Sequence, residues 1–158
     1  MTSFRIQNLL VASLLLLSSS IVISAGSRSY KISGDTLLVS SNGGITWRID
    51  PNAPPNVHLL AVAPSGRGMT VVANNEGISV ESSGGNSWMR VLTFGPSMTA
   101  RKLDRSSQNA HHLRFLGVET LQGGRNIFVV YRSYDGGIRW SILYRGSDGV
   151  EAERRYAE

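Results

Sequence analysis

Short runs of apolar or alternating residues, cut by glycine, recur along this chain between Ser29 and Tyr144. Thr36 to Ser40, Ile78 to Ser82 and Ile127 to Ser133 are such runs, and a glycine pair follows each. A second run comes after each pair: Thr46 to Ile49, Ser87 to Leu92 and Arg139 to Tyr144. Stretches of this length and type, bounded by turn residues, predict strands joined as β-hairpins. The middle unit reads as four strands, with His58 to Ala63 and Met69 to Asn74 preceding its hairpin. The first unit adds only Ser29 to Ser33 and the third only Leu113 to Thr120, so each is one strand short. Asp50 to Asn56 reads as a Pro-rich connection and Phe94 to Ala110 as a long polar loop. The tail from Asp148 is charged and expected to fray.

The three hairpin turns align residue by residue. The first is Ser40-Ser41-Asn42-Gly43-Gly44-Ile45-Thr46-Trp47 and the third Ser133-Tyr134-Asp135-Gly136-Gly137-Ile138-Arg139-Trp140. The second, Glu81-Ser82-Ser83-Gly84-Gly85-Asn86-Ser87-Trp88, is degenerate at its first two signature positions. All three tryptophans of the chain occupy this one place, 41 and 52 residues apart, which is the period of a four-stranded propeller blade. The residue types fit a turn. The side-chain oxygen of Asn42 or Asp135 can fold back onto backbone N–H groups, and Gly44 and Gly137 supply positive φ. Each tryptophan offers a broad apolar face with an indole N–H for a nearby carbonyl.

Ahead of the first unit, Arg5 is the only charge before Arg28, Leu9 to Leu17 is almost purely apolar, and small residues close the stretch at Ala25-Gly26. Residues 1–26 therefore read as a signal peptide cleaved after Ala25 or Gly26, and the protein as exported: secreted, periplasmic or in an organelle lumen. Contact with a membrane is expected only through this segment if it stays uncleaved, and its apolar part is short for a span.

Composition narrows the chemistry. The chain has 158 residues, 41% hydrophobic and 17% charged, with 17 glycines, which suits short strands and tight turns. It has no cysteine, which excludes disulfides, thiolate nucleophiles and cysteine-ligated metals. The net charge is +5, and most of the basic residues are arginine, a side chain suited to bidentate contact with carboxylate, phosphate or sulfate. His111 and His112 are adjacent and, if extended, point to opposite faces, so no shared metal site is expected. No cofactor motif is present. Nucleic-acid binding is not expected either, since basic and aromatic residues do not interleave.

The three turns resemble the Asp box, or bacterial neuraminidase repeat, with signature Ser-x-Asp-x-Gly-x-Thr-Trp. Ser40, Asn42, Gly44, Thr46 and Trp47 match it with Asn for Asp, and Ser133, Asp135, Gly137 and Trp140 match it with Arg139 for Thr. The second copy has Glu81 and Ser83 in the places of Ser and Asp and keeps Gly85 and Trp88. The resemblance implies an all-β chain, a partial β-propeller of about three antiparallel blades over residues 27–147, followed by the charged tail 148–158. In that superfamily the box is structural and peripheral, so the likeness speaks to fold and hardly to function.

The run Leu59-Leu60-Ala61-Val62-Ala63, a glycine turn and Met69-Thr70-Val71-Val72 is similar to repeats of photosystem II assembly factors, which implies an exported, non-catalytic binding or assembly module. A sialidase-like glycoside hydrolase, or a fragment of one, is the alternative. Arginines, Tyr131, Tyr134, Tyr144, Glu119 and Asp104 supply its residue types without a selecting spacing. A sortilin-like receptor propeller fits less well, because such chains carry a cysteine-rich segment. Arg101, Lys102 and Arg105 in the polar loop, with Arg114 nearby, form the candidate interaction surface. Propellers typically close with roughly four to eight blades, so three blades imply self-association, a protein partner that completes the ring, or a truncated gene product.

Overall fold

The computed structural model describes residues 22–23, 28–63, 69–82, 85 and 87–158. The expected signal peptide 1–26 lies outside this set except for Val22–Ile23, and Ser83 of the second turn lies outside it too.

Three antiparallel meanders of four strands follow one another along the chain. The first runs β1 (Val22–Ile23), β2 (Ser29–Ser33), β3 (Thr36–Ser40) and β4 (Arg48–Ile49). The second runs β5 (Leu59–Ala61), β6 (Val71–Asn74), β7 (Gly77–Glu81) and β8 (Trp88–Thr93), the complete blade read from its alternation. The third runs β9 (Met98–Arg105), β10 (Leu113–Thr120), β11 (Asn126–Ser133) and β12 (Ser141–Gly146). A helix, α1 (Gly149–Ala157), closes the chain.

The sheets stack face to face. Tyr30, Leu37 and Val39 of the first sheet pack with Val57, Val62 and Val72. Val71, Ala73, Ile78 and Val80 of the second meet Met98, Leu103, Leu113, Phe115 and Val129 of the third, where Phe94 stacks on Phe115 with ring centroids 4.8 Å apart. Each fully buried Val, Leu, Ile or Phe is worth roughly 1.5–3 kcal/mol, so these two interfaces hold the layers together. β5 lies against β9 and β2 against β5.

Three expectations need correction. The first unit is not one strand short, since β1 pairs with β2, Val22 opposite Tyr30 and Ile23 opposite Ser29. The polar loop is a strand over about half of its length: β9 pairs with β10 from Arg105 opposite Leu113 to Met98 opposite Glu119. A bulge at Leu116/Gly117 leaves Arg101 without an opposite residue, so Leu103 and Met98, five residues apart, both face the core. The bulge thus breaks the period-2 signal that identifies a half-buried strand. Gly117 is required there, because a Cβ would lie 2.7 Å from the Met98 sulfur and 2.9 Å from the Phe115 ring.

The charged tail, in turn, is helical rather than frayed. Asp148 caps it, accepting from the N–H groups of Val150 (2.8 Å) and Glu151 (3.1 Å). Glu151 in the first turn and Arg154 and Arg155 in the last complement the helix dipole. Ala152 and Tyr156, one turn apart, are buried against Leu116 and Val130, with Phe128, Leu143 and Tyr144 around them. The outer face of the third sheet is therefore covered by the helix. Removing residues 149–158 should expose Leu116, Phe128 and Val130; the expected outcome is a larger apparent mass in light scattering than the full chain shows at the same concentration.

Candidate functional site

The turns come first because they fix the blade edges. In the first, the Ser40 hydroxyl donates to Asn42 Oδ1 (2.8 Å) and accepts from the N–H of Gly44 (2.9 Å), while Asn42 Oδ1 accepts from the N–H of Thr46 (2.9 Å). The third repeats the pattern: Ser133 donates to Asp135 Oδ1 and accepts from the N–H of Gly137, both at 2.9 Å, and Asp135 Oδ1 accepts from the N–H of Arg139 at 2.9 Å. Gly44 and Gly137 have φ of +88° and +101°. A Cβ at Gly137 would also lie 2.9 Å from the Val71 side chain, so this turn is wedged against the second blade. The Trp140 indole donates to the Gly137 carbonyl (2.7 Å), whereas Trp88 donates to the Asp50 carboxylate (3.1 Å) and Trp47 lies under the Lys31 ammonium, 4.4 Å from its ring centroid.

The second turn is built differently. Glu81 replaces the serine and accepts from the Tyr30 hydroxyl of β2, with Arg28 3.6 Å away; Arg28 also donates to the Gly85 carbonyl. Burial, then the hydrogen bond and charge of Glu81, raise the Tyr30 phenol well above its usual range. The degenerate copy thus exchanges a local turn bond for a clasp between the first and second sheets. Glu81→Ser restores one position of the repeat signature but strips Tyr30 of its acceptor and Arg28 of its ion pair with Glu81; it should destabilise the chain by about 1–3 kcal/mol in urea denaturation.

A cleft of about 670 Å³ opens where β9 and β11 end and β10 begins. Arg105, Arg114 and Arg132 line it with His112 and Tyr134, the loop of Ser106 to Gln108, and the end of α1. Arg114 and Arg132 are directly opposite on adjacent strands. Arg114 donates to the Ala157 carbonyl (2.9 Å), Arg132 to the Tyr134 hydroxyl (2.9 Å), and Arg105 to the carbonyls of Ala110 and Met69. Burial pushes the Arg105 guanidinium down to about 10. The Tyr134 ring meets His112 edge-on at 4.8 Å.

The four basic residues expected to form one surface are divided. Arg105 and Arg114 line this cleft, while Arg101 and Lys102 line a smaller hollow of about 280 Å³ beside Phe128 and Glu153, where Lys102 pairs with Glu153 at 2.7 Å. Arg132 was not among the expected residues; it sits one position before the third turn, in a run that reads simply as strand. His111 and His112 lie in a turn rather than an extended segment, and no group of three or more metal-ligating side chains occurs among the described residues. His58 is 3.0 Å from Asp35. Tyr131 packs among Phe94 and Phe115, and burial raises its pKa, the reverse of what a nucleophile needs. Glu119 pairs with Arg145 at 2.6 Å.

With this geometry defined, solved structures supply a likeness. The fold aligns with an ancestral GH74 enzyme over 78% of this chain and 17% of that one, with a TM-score of 0.60 and 20% identity. It aligns with the GH74 xyloglucanase from Xanthomonas campestris over 78% of this chain and 21% of that one, with a TM-score of 0.59 and 18% identity. The chain spans about a fifth of the length of these structures. No family model and no curated protein sequence matches it. At this identity the likeness is one of fold: the protein is all-β, a partial β-propeller of three antiparallel blades.

Desolvation raises the Asp135 pKa, but the N–H of Arg139, the Ser133 hydroxyl, the N–H of Ile138 and the Arg139 charge outweigh it and hold the carboxyl below its usual range. A depressed folded-state pKa contributes stability above the unfolded value, about 3.9, that is lost as pH falls through the folded one. Asp135→Asn should therefore flatten the loss of stability below about pH 4 in acid titrations followed by circular dichroism. Asn42, neutral in the equivalent place, makes the same turn bonds without this dependence.

Proposed function

We propose that the chain is an exported, propeller-type binding or assembly module with Asp-box turns and no covalent chemistry of its own, similar in kind to photosystem II assembly factors. The observation that carries this reading is the employment of its acids. Glycoside hydrolysis needs two carboxylates facing each other across the scissile bond. Each of the eleven Asp and Glu residues here already has a structural partner. Asp35 is held by His58, Asp50 by Trp88, Glu76 by Arg90 and Glu81 by Tyr30. Asp135 and Asp148 close a turn and cap a helix, Glu119 pairs with Arg145, and Glu151, Glu153 and Glu158 belong to α1 pairs. Asp104, one of two acids at the large cleft, accepts from the Tyr156 hydroxyl.

The partner is a protein, or a second copy of the chain, and the exposed Arg101 and Lys102 strip is its contact. The likeness to the GH74 structures favours a second reading, a piece of a glycoside hydrolase. Two measurements separate the readings. Purified protein should release no reducing sugar from xyloglucan and no aglycone from a generic sialoside; turnover abolished by Glu119→Gln would establish the hydrolase instead. A co-purifying protein should be retained by the parent chain and lost on Arg101→Glu with Lys102→Glu, at unchanged circular dichroism.

A further inference from the structure

The cleft at the end of the third sheet holds more positive charge than its neighbours neutralise. Like charges directly opposite on adjacent strands destabilise a sheet, yet Arg114 and Arg132 stand in that relation, with Asp104 opposite Arg114 on its other side. No carboxylate pairs with Arg105, Arg114 or Arg132 among the described residues: Asp104 is held by Tyr156, and Glu158 pairs with Arg154 and Arg155. Two buried guanidinium nitrogens, Arg105 Nε and Arg132 Nη2, have no hydrogen-bond acceptor at all. Buried N–H groups are almost always satisfied, and leaving a charged one empty is costly. Both arginines are nevertheless fixed by their other bonds, Arg105 to two carbonyls and Arg132 to Tyr134, so neither can swing away to water without breaking those contacts.

The geometry points to an oxyanion site: this cleft binds a phosphate, sulfate or carboxylate group between the Arg132 and Arg114 guanidinium forks, with Arg105 completing the positive wall. Guanidinium forks give such oxygens short, charge-assisted bonds, and Tyr134 and the Ser106–Gln108 loop offer further donors at the rim. About 670 Å³ is room for an anion carried on a larger organic body rather than for a bare ion alone. The site does not depend on the module being non-catalytic, since an anion pocket serves a binding protein and an enzyme alike.

Isothermal titration of the full chain with inorganic phosphate, sulfate, acetate and citrate tests this. The expected result is saturable one-to-one binding of at least one probe with a dissociation constant of about 1 mM or tighter. Phosphate and sulfate without citrate identify a phosphoryl or sulfuryl ligand, and citrate or acetate without phosphate a carboxylate one. Arg132→Gln should weaken binding at least tenfold, roughly the value of one charge-assisted contact. Arg114→Gln provides the second reading if Arg132→Gln fails to fold. Arg125→Gln, which removes the same charge in the hairpin loop at the far end of the sheet, should leave affinity unchanged. Equal loss in Arg125→Gln would mean only nonspecific attraction to a basic surface, and no saturable binding of any probe up to about 10 mM would mean solvent fills the cleft; either result overturns the proposal.

Discussion

Everything in this fold depends on the second sheet being buried on both faces. Every residue of β6 and β7 is buried, from Val71 to Asn74 and from Gly77 to Glu81. A sheet sealed on both sides cannot exist without a layer above and a layer below. The first and third meanders are thus conditions of its folding rather than additions to it. The polar groups inside it must also find partners. Ser79 and Asn74 do so within the hairpins, through Arg90 and through the N–H groups of Glu76 and Gly77, and Glu81 does so across the layer boundary, with Tyr30.

The same logic explains the helix. The third sheet must cover the second with one face, which leaves Leu116 and Val130 on the other. A propeller ring would cover them with a next blade; here Ala152 and Tyr156 do so. Tyr156 also reaches Asp104, and burial together with that hydrogen bond raises its phenol well above the usual range. Lys102 and Arg114 complete the seam through Glu153 and the Ala157 carbonyl. The polar side of β9, which made it look like a loop, is polar because it faces a charged helix.

This accounts for what could be read from the chain in advance. The hairpins were legible because Gly-Gly and tryptophan punctuate them, and because β3, β7 and β11 face core on at least one side. β9 was hidden by its bulge and by helix-facing Lys102 and Asp104. α1 had a signal, an Asp148 cap followed three residues later by Glu151, with Ala152 and Tyr156 at helical spacing, but nine residues of charge read as a solvated tail. The Glu81 clasp had none, since its partners lie 51 and 53 residues away. Half of the candidate surface had the same fault. Arg105 and Arg114 belong to the cleft only because β9 pairs with β10, and Arg132 joins them only because β10 pairs with β11.

The helix also bears on how this chain meets others. Closing a six-bladed ring from two copies needs the outer face of one third sheet against the outer face of the partner's first sheet. α1 already occupies the former. Self-association in this arrangement is left with the first sheet, whose outer side carries Ile49 opposite Leu38 and ends in the turn with Ile45, 63% and 82% exposed for the two isoleucines. Exposed apolar residues on an edge strand favour pairing with another chain, and Arg48 on β4 itself gives that edge the charge that commonly limits such pairing. The arginine cleft lies at the opposite end of the layer order, so an anion bound there and a chain docked on the first sheet do not compete for surface.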